Sequence, residues 1–198
     1  MAVEHPETSD LVLVRHGQSS WNELRLIQGQ NDAAQLTATG REQARRAALE
    51  LRVQHFGRIV TSDLARALQT ARIIADVLEI EVELDADLRE RSYGVAEGGS
   101  IDVITPAMVG VEDGRVTNVE VSPEGGESLR ALRERAGRFV RTSLERWPNE
   151  RLLVVSHGGT IRALRSYCAG TPLQGTLWGA VANCTVWTVR RPLDETRR

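Results

Sequence analysis

Two short segments of the chain each place a histidine and a glycine directly after a run of aliphatic residues. The run 11–14 is followed by Arg-His-Gly at 15–17, and the run 152–155 is followed by Ser-His-Gly at 156–158. Short apolar runs without alternation are typical of strands that are buried on both faces of a parallel sheet. Ligands in such sheets bind beyond the carboxyl ends of the strands. The two histidines are therefore predicted to face one pocket with Arg15 beside them, an arrangement that suits chemistry on a phosphate group.

The order of the local patterns predicts an α/β protein. Strand and helix patterns alternate along the chain, which favours an α/β sandwich with a mostly parallel central sheet. Strands are expected at 11–14, 58–61, 81–84, 152–155 and 185–189, the last one as an edge strand. Helices are expected from a cap at Thr37 or Thr39 onward, and at 63–78, 127–147 and 160–168.

The length of the chain fits a single domain. Its 198 residues suffice for one sizeable core, so 1–198 is expected to form one unit. Residues 85–126 are irregular and rich in glycine, which predicts a functional loop or lid rather than a second domain. Within that segment, 95–122 is expected to be a variable loop on the substrate side. The polar segments 1–9 and 192–198 are expected to be flexible tails.

The composition argues against several classes of partner. The formal net charge is -2, so nothing in it attracts the chain to nucleic acid or to an anionic membrane. No apolar stretch is long enough to span a bilayer, and the polar, acidic start is unlike a signal peptide. Cys168 and Cys184 lack the spacing of metal ligands and are expected to be buried free thiols. A cytoplasmic location is the default expectation.

His16 is the candidate nucleophile. A neutral imidazole nitrogen can attack phosphorus and leave a phosphohistidine, which divides one difficult step into two. Histidine titrates near neutral pH, so this role needs little shift of its pKa. A carbonyl of the Gly17 turn is expected to accept a hydrogen bond from the other ring nitrogen and so to fix the tautomer. An isolated histidine at a strand end would more often be a core residue, but a buried Arg15 beside it needs an anion.

Arginine supplies every fixed positive side-chain charge in this protein, because all 25 basic residues are arginine. Arg15 and Arg66 are the candidate phosphate clamp, since a guanidinium forms paired hydrogen bonds with phosphate oxygens and stays charged. Arg66 lies in the first turn of a predicted helix, where backbone N–H groups also favour an anion.

Two further side chains complete the predicted chemistry. His157 would donate a hydrogen bond to a phosphoryl oxygen and stabilise the charge of the transition state. Glu90 follows the strand predicted at 81–84 and is the best candidate for the proton donor to the leaving oxygen. Two histidines and a carboxylate could instead bind iron or zinc, although two converging arginines would repel a cation. The segment 125–128 needs no role beyond a turn and a helix cap.

These residues resemble the histidine phosphatase superfamily, in its phosphoglycerate mutase-like branch, over residues 11–189. The most specific motif is Arg-His-Gly-Gln-Ser-Ser-Trp-Asn at 15–22. Further matches lie at 28–29, 36–40, 62–71, 88–94, 123–128 and 156–158. The resemblance implies a three-layer α/β/α sandwich that uses no metal and no other cofactor.

The resemblance also implies a role for each residue of the site. By this similarity His16 is the phosphorylated residue, and Glu90 is the general acid and base. Arg15, Arg66 and His157 complete the phosphate pocket. Substrate contacts are implied for Asn22, at the phosphoryl group, and for Ser19, Gln28, Gly29 and Gly158.

The chain departs from the family pattern at three places. Arg25-Leu26 stands where Gly-Arg is usual, the segment after Asp32 is slightly longer, and 98–122 lacks the tryptophan-rich helical pattern of this branch. Family members shape substrate choice in this last stretch, so the identity of the substrate does not transfer.

The expected activity is hydrolysis of a small phosphorylated metabolite through a phosphohistidine. A phosphoglycerate mutase would use the same site to return the phosphoryl group to its substrate, and a non-catalytic binder would keep only the pocket. Arg115 is the one basic residue between Gly94 and Ser128. This segment is expected to cover the pocket, and one cationic side chain is too few to hold the bisphosphorylated intermediate of a mutase. The sequence therefore favours a phosphatase. The sequence leaves open whether the chain forms a homodimer.

Overall fold

The computed structural model describes residues 10–192. The tail predicted at 1–9 lies outside the described residues, and so does the tail predicted at 192–198 apart from Pro192. The strands are β1 (Asp10–Arg15), β2 (Arg58–Thr61), β3 (Val82–Leu84), β4 (Val111–Glu112), β5 (Arg115–Val116), β6 (Leu152–Ser156) and β7 (Val186–Arg190). The helices are α1 (Ser20–Glu23), α2 (Ala38–Leu51), α3 (Ala65–Leu78), α4 (Pro106–Val109), α5 (Leu129–Arg146) and α6 (Gly158–Cys168).

The central sheet has five strands in the order β3-β2-β6-β1-β7. The first four are parallel neighbours, and β7 pairs with β1 in the antiparallel direction at the edge of the sheet. In the register of β1 and β6, Arg15 lies opposite Ser156. The two strands end at these residues, so His16 and His157, which follow them, lie side by side at the edge of the sheet. The N–H of His16 donates to the carbonyl of Ser156 over 2.9 Å.

The sheet separates two layers of helices, as the three-layer sandwich requires. Alternate residues of a strand point to opposite faces. Leu11 and Leu13 of β1 pack in one apolar cluster with residues of α5 and α6. Val12 and Val14 pack in a second cluster with residues of α2 and α3. The predicted fold class is confirmed, and the carboxyl edge of the sheet is the place where the two histidines meet.

The starts of α2 and α5 follow the expected capping rules, and the start of α3 does not. Thr37 caps α2 by accepting a hydrogen bond from the N–H of Gly40, and Ser128 caps α5 in the same way. The helix predicted at 63–78 begins only at Ala65, because Leu64 has an extended backbone. The N–H of Ala65 donates to the carboxylate of Asp32, so this N–H is not free for a substrate anion.

The segment 85–126 is more ordered than the expected irregular loop. Three 3-10 turns, α4 and the hairpin of β4 and β5 lie within it. The buried guanidinium of Arg91 holds the segment together by donating to the carbonyls of Glu127, Val109 and Val121 over 2.7, 2.9 and 3.0 Å. These bonds link positions that are far apart in sequence, so the local sequence pattern did not predict that the segment is ordered.

Two smaller expectations concern membranes and thiols. Within residues 10–192, no helix combines the length and the apolar character that crossing a bilayer demands. Cys168 and Cys184 are free but half-buried rather than fully buried, because Cys168 is the last residue of α6 and Cys184 lies in the turn before β7. Burial raises the pKa of the Cys168 thiol to about 11 and that of Cys184 to about 12, so both are protonated at neutral pH.

Candidate active site

His16 is held as a neutral ring with one defined tautomer. Its Nδ1 lies 2.7 Å from the carbonyl oxygen of Gly17. A carbonyl can only accept, so Nδ1 carries the proton and Nε2 keeps its lone pair. Burial, together with the charges of Arg66 and Arg15, holds the pKa of His16 well below its usual value. The hydrogen bond expected from the Gly17 turn is therefore present, and the ring is uncharged at neutral pH.

His157 faces His16 across the pocket. The two ring centroids are 5.1 Å apart, and the ring planes are tilted by 59°. Nε2 of His157 lies 2.9 Å from Oγ of Ser62, which accepts from the N–H of Leu64 over 3.3 Å. We assign the proton of His157 to Nδ1, because the Ser62 hydroxyl then has an acceptor for its own proton in Nε2. Burial and then the charge of Arg66 hold the pKa of His157 well below its usual value.

The two arginines predicted to clamp phosphate are both anchored by backbone carbonyls. Arg66 is fully buried, and its Nη1 and Nη2 donate to the carbonyls of Asn31 and Gly29 over 3.0 and 2.7 Å. Nη1 of Arg15 donates to the carbonyl of Val181. Burial lowers the pKa of Arg66 to about 10, which still leaves Arg66 a cation at neutral pH. Burial also lowers the pKa of Arg15.

Three buried N–H groups of this site have no acceptor in the protein. Within residues 10–192, buried side-chain atoms that lack a hydrogen-bond partner are Nε of Arg15, Nε of Arg66, Nδ1 of His157 and, away from the site, Nε of Arg151. Buried polar groups are nearly always paired, so such a concentration of donors needs an explanation. An anion that accepts from all three groups would supply it, and the charges of both arginines act on His16 and on His157, so both guanidinium groups lie near the two rings.

The carboxylate of Glu90 lies against the first turn of α6 and is fixed by backbone donors. One oxygen accepts from the N–H of Gly159 over 3.0 Å, and the other accepts from Arg91 and Thr160 over 2.8 and 3.2 Å. The charge of Glu90 also acts on Arg15 and on Arg66. The structure therefore brings together His16, His157, Arg15, Arg66 and Glu90, the five residues that the sequence predicted to be catalytic.

The predicted substrate-contact residues next to α1 form a polar cluster. Ser19 caps α1, and its hydroxyl donates to the side-chain oxygen of Gln28 over 2.7 Å. The side-chain oxygen of Asn22 accepts from the N–H of Ser19 over 3.1 Å and from Nδ2 of Asn183 over 3.3 Å. Nδ2 of Asn183 also donates to the carbonyl of His16 over 2.8 Å. This cluster connects α1 to the nucleophile.

Of the two predicted glycines, Gly29 occupies a tight position and Gly158 does not. Gly29 has φ +48°, and a Cβ there would lie 2.1 Å from the carboxylate of Glu97. Only glycine fits such a position, which also presents the carbonyl that anchors Arg66. Gly158 lies between two guanidinium groups, because a Cβ on it would be 3.8 Å from Nε of Arg15 and 3.9 Å from Nη1 of Arg162.

Arg162 is a residue of this region that the sequence interpretation missed. Its guanidinium stacks on the Trp178 ring at 4.6 Å and donates to the carbonyl of Gly179 over 2.9 Å. Burial lowers its pKa, and the charge of Glu90 opposes this shift. A usable signal existed, because Arg162 follows Gly158 by four residues and so shares its face of the helix.

Two alternatives raised by the sequence can be compared with the geometry. Arg115 of β5 is exposed, and its Nη1 donates to the carbonyl of Gly175 over 3.3 Å. Within the part of the chain that the structure describes, no group of three or more His, Cys, Asp or Glu side chains is arranged to hold a metal ion.

Comparison with known proteins adds to these observations. The family model described as "Histidine phosphatase superfamily (branch 1)" matches residues 11–197. A probable phosphoglycerate mutase GpmB of Enterobacter sp. (strain 638) is 37% identical over 182 residues, which are 88% of this chain and 81% of the relative.

Two solved structures are similar along nearly their whole length. The mycobacterial glucosyl-3-phosphoglycerate phosphatase in complex with VO3 has a TM-score of 0.80 and 29% identity, with 91% of this chain and 90% of the other covered. Bacillus stearothermophilus YhfR has a TM-score of 0.79 and 30% identity, with 90% and 89% covered.

Proposed function

The chain belongs to branch 1 of the histidine phosphatase superfamily and is an enzyme of that family, and we propose that it hydrolyses a small phosphomonoester metabolite. The phosphoryl group passes through a phosphohistidine on His16, with Glu90 as the general acid and base. One observation carries this proposal: buried, unpartnered donors of Arg15, Arg66 and His157 accompany a neutral nucleophilic imidazole.

In the first step the lone pair on Nε2 of His16 attacks phosphorus. The P–N bond forms while the bond from phosphorus to the ester oxygen breaks, and the protonated carboxyl of Glu90 gives its proton to the leaving oxygen. The Nδ1–H of the ring keeps its hydrogen bond to the Gly17 carbonyl and stabilises the positive charge that the ring acquires. The products are an alcohol and phosphorylated His16.

In the second step water attacks the phosphohistidine. The carboxylate of Glu90 takes a proton from the water while the P–N bond breaks and its electron pair returns to Nε2 of His16. Inorganic phosphate leaves, and both catalytic groups regain their starting protonation states. Nε of Arg15, Nε of Arg66 and Nδ1–H of His157 donate to the phosphoryl oxygens in both steps, and the Asn22 amide adds a further donor.

The cover of the pocket favours a phosphatase over a mutase. A mutase must hold a bisphosphorylated intermediate while this intermediate reorients in the pocket, and this requires a second cluster of cations. Arg115 is the only basic residue of the covering segment, and it is exposed and bonded to Gly175. The phosphoglycerate mutase remains the second candidate, because a relative bears that name.

The leaving group is expected to carry a negative charge. Arg162 lies beside Gly158, and its charge acts on Glu90, the residue that protonates the leaving oxygen. The names of the two similar proteins both contain phosphoglycerate, which has a carboxylate. We place the enzyme in the cytoplasm, without a metal cofactor or a nucleic-acid partner, on the basis of composition and resemblance.

Measurement of both activities on one substrate tests the proposal. We expect release of inorganic phosphate from 3-phosphoglycerate or a related ester, and little formation of 2-phosphoglycerate even with 2,3-bisphosphoglycerate as primer. Primer-dependent isomerisation well above phosphate release would identify a mutase. Binding of phosphate esters without turnover of any of a panel of small phosphorylated metabolites would identify a non-catalytic binder.

A further inference from the structure

We propose that a buried ion pair of Arg135 and Glu127 positions the catalytic carboxyl of Glu90. Arg135 would be a positioning residue, because it acts on the backbone that carries Glu90 and not on the substrate. This inference rests on the proposed function, in which Glu90 protonates the leaving oxygen.

The guanidinium of Arg135 binds the chain just before and at Glu90. Arg135 lies on α5 with only 8% of its surface exposed. Its Nη1 donates to the carbonyls of Asp87 and Arg89, both over 2.7 Å, and its Nη2 donates to the carbonyl of Glu90 over 3.2 Å. One side chain therefore fixes three of the four carbonyls that lead up to and include the catalytic residue.

Glu127 holds Arg135 in place and also binds the chain just after Glu90. Its two carboxylate oxygens accept from Nε and Nη2 of Arg135 over 3.0 and 2.8 Å, a two-point pairing that fixes the guanidinium plane. Its backbone N–H donates to the carbonyl of Ser92 over 2.9 Å. Its own carbonyl accepts from Nε of Arg91 over 2.7 Å. Arg135 therefore holds the backbone before Glu90, and Glu127 holds Arg91 and Ser92 after it.

Different groups hold the carboxylate and the backbone of Glu90. The N-terminal turn of α6 binds the carboxylate through Gly159 and Thr160, whereas the backbone carbonyl accepts from Arg135 of α5 and from Nε2 of Gln30 over 3.1 Å. The hydroxyl of Thr160 also donates to the carbonyl of Arg89 over 2.6 Å. Loss of Arg135 would remove three bonds to this backbone, while the bonds from Thr160 and Gln30 remain, so the segment would keep its fold and the carboxyl would shift with its backbone.

Stability alone is a weak explanation for this pair. The side chains of Arg135 and Glu127 are 10% and 15% exposed, so both charges lose most of their hydration. Such pairs often contribute little to stability, since apolar residues of similar volume can replace them without loss. Arg135 also donates to carbonyls at and just before Glu90, so the position of the pair indicates that it serves to orient this residue.

The test compares two substrates that differ in their need for an acid. The leaving-group ratio is defined as kcat/KM for glycerol 2-phosphate divided by kcat/KM for p-nitrophenyl phosphate. An alkoxide needs a proton to leave and a nitrophenolate does not, so a displaced Glu90 lowers this ratio. Partial unfolding reduces both values by the same factor and leaves the ratio unchanged.

The variants are Arg135→Lys and Glu127→Gln, with Glu90→Gln as the reference. Lysine keeps the charge but cannot bind Glu127 and three carbonyls at once, and we expect the ratio to fall by about tenfold or more because small displacements of catalytic groups are costly. Glu127→Gln keeps Arg135 and gives a second route to the same result. Arg191→Lys is the matched control, since buried Arg191 also donates to three carbonyls, of Ser143, Trp147 and Glu150, elsewhere in the protein.

The outcomes separate this inference from the proposed function. A ratio that falls in Glu90→Gln, Arg135→Lys and Glu127→Gln but not in Arg191→Lys supports both. A ratio that falls in Glu90→Gln alone overturns the positioning role and leaves the acid role intact. A ratio that stays unchanged in Glu90→Gln overturns the acid role itself, and the positioning role with it.

Discussion

Gly159→Ala is expected to displace the carboxylate of Glu90 while the fold is retained. A Cβ on Gly159 would lie 2.4 Å from Oε1 and 3.3 Å from Cδ of Glu90. Gly159 is in the first turn of α6 with ordinary helical geometry, so alanine adds no backbone strain. The atoms that must move belong to the far end of a flexible side chain.

The size of the effect follows from these distances. Non-bonded heavy atoms approach to about 3.5 Å, so the carboxylate has to move by about 1 Å. Such a shift costs little stability, but a displacement of about 1 Å at a reacting group can cost about 10²-fold in rate. We therefore expect Gly159→Ala to lower the leaving-group ratio by about two orders of magnitude, close to the loss in Glu90→Gln.

The assay measures the leaving-group ratio and the thermal unfolding midpoint of each variant. Gly137→Ala on α5 is the matched control, because its Cβ would meet the Tyr167 ring at 2.4 Å, a clash of the same size away from the site. It should lower the unfolding midpoint and leave the ratio unchanged. An unchanged ratio in folded Gly159→Ala would refute the assignment of Glu90 as the acid, or the geometry of this contact.

The stability of the protein should depend on pH, and its activity should not depend on a metal ion. His16 and His157 have pKa values well below that of an unfolded histidine, so the unfolded chain binds more protons than the folded protein. The free energy of unfolding should therefore fall as the pH drops below about 6.5, by up to about 1.4 kcal/mol per pH unit for each ring. Urea unfolding between pH 6.5 and 5.5 checks this, and His157→Asn should give a shallower slope; equal slopes would contradict the buried neutral state. Chelators should leave the rate unchanged and vanadate should inhibit, whereas activity lost to a chelator and restored by a divalent cation would favour the metal alternative.

The parts of the site that follow strands were predictable from the sequence. His16 and His157 end two uninterrupted aliphatic runs, and a parallel sheet places such ends together whatever the loops do. The bond between His16 and Gly17 was also predictable, since it joins neighbouring residues. Local pattern and strand topology are sufficient for these features.

Other features depend on contacts that no local pattern encodes. Arg135 has the spacing of a helix residue, but nothing in the sequence near it indicates that it binds the carbonyls of 87–90. Glu127 was interpreted as part of a turn and a cap, and its pairing with Arg135 became evident only in the structure. Asp32, which binds the first N–H of α3, was missed for the same reason: its partner lies 33 residues away.

Trapping of the phosphohistidine tests the central claim most directly. In Glu90→Gln, p-nitrophenyl phosphate should still transfer its phosphoryl group, because its leaving group needs no acid, while water attack is slow without the base. With 32P-labelled substrate and a quench that avoids acid, we predict label on the peptide that contains His16, formed together with a burst of nitrophenol, and no label in His16→Ala. Nitrophenol release without label on His16, or label on another residue, would contradict the account.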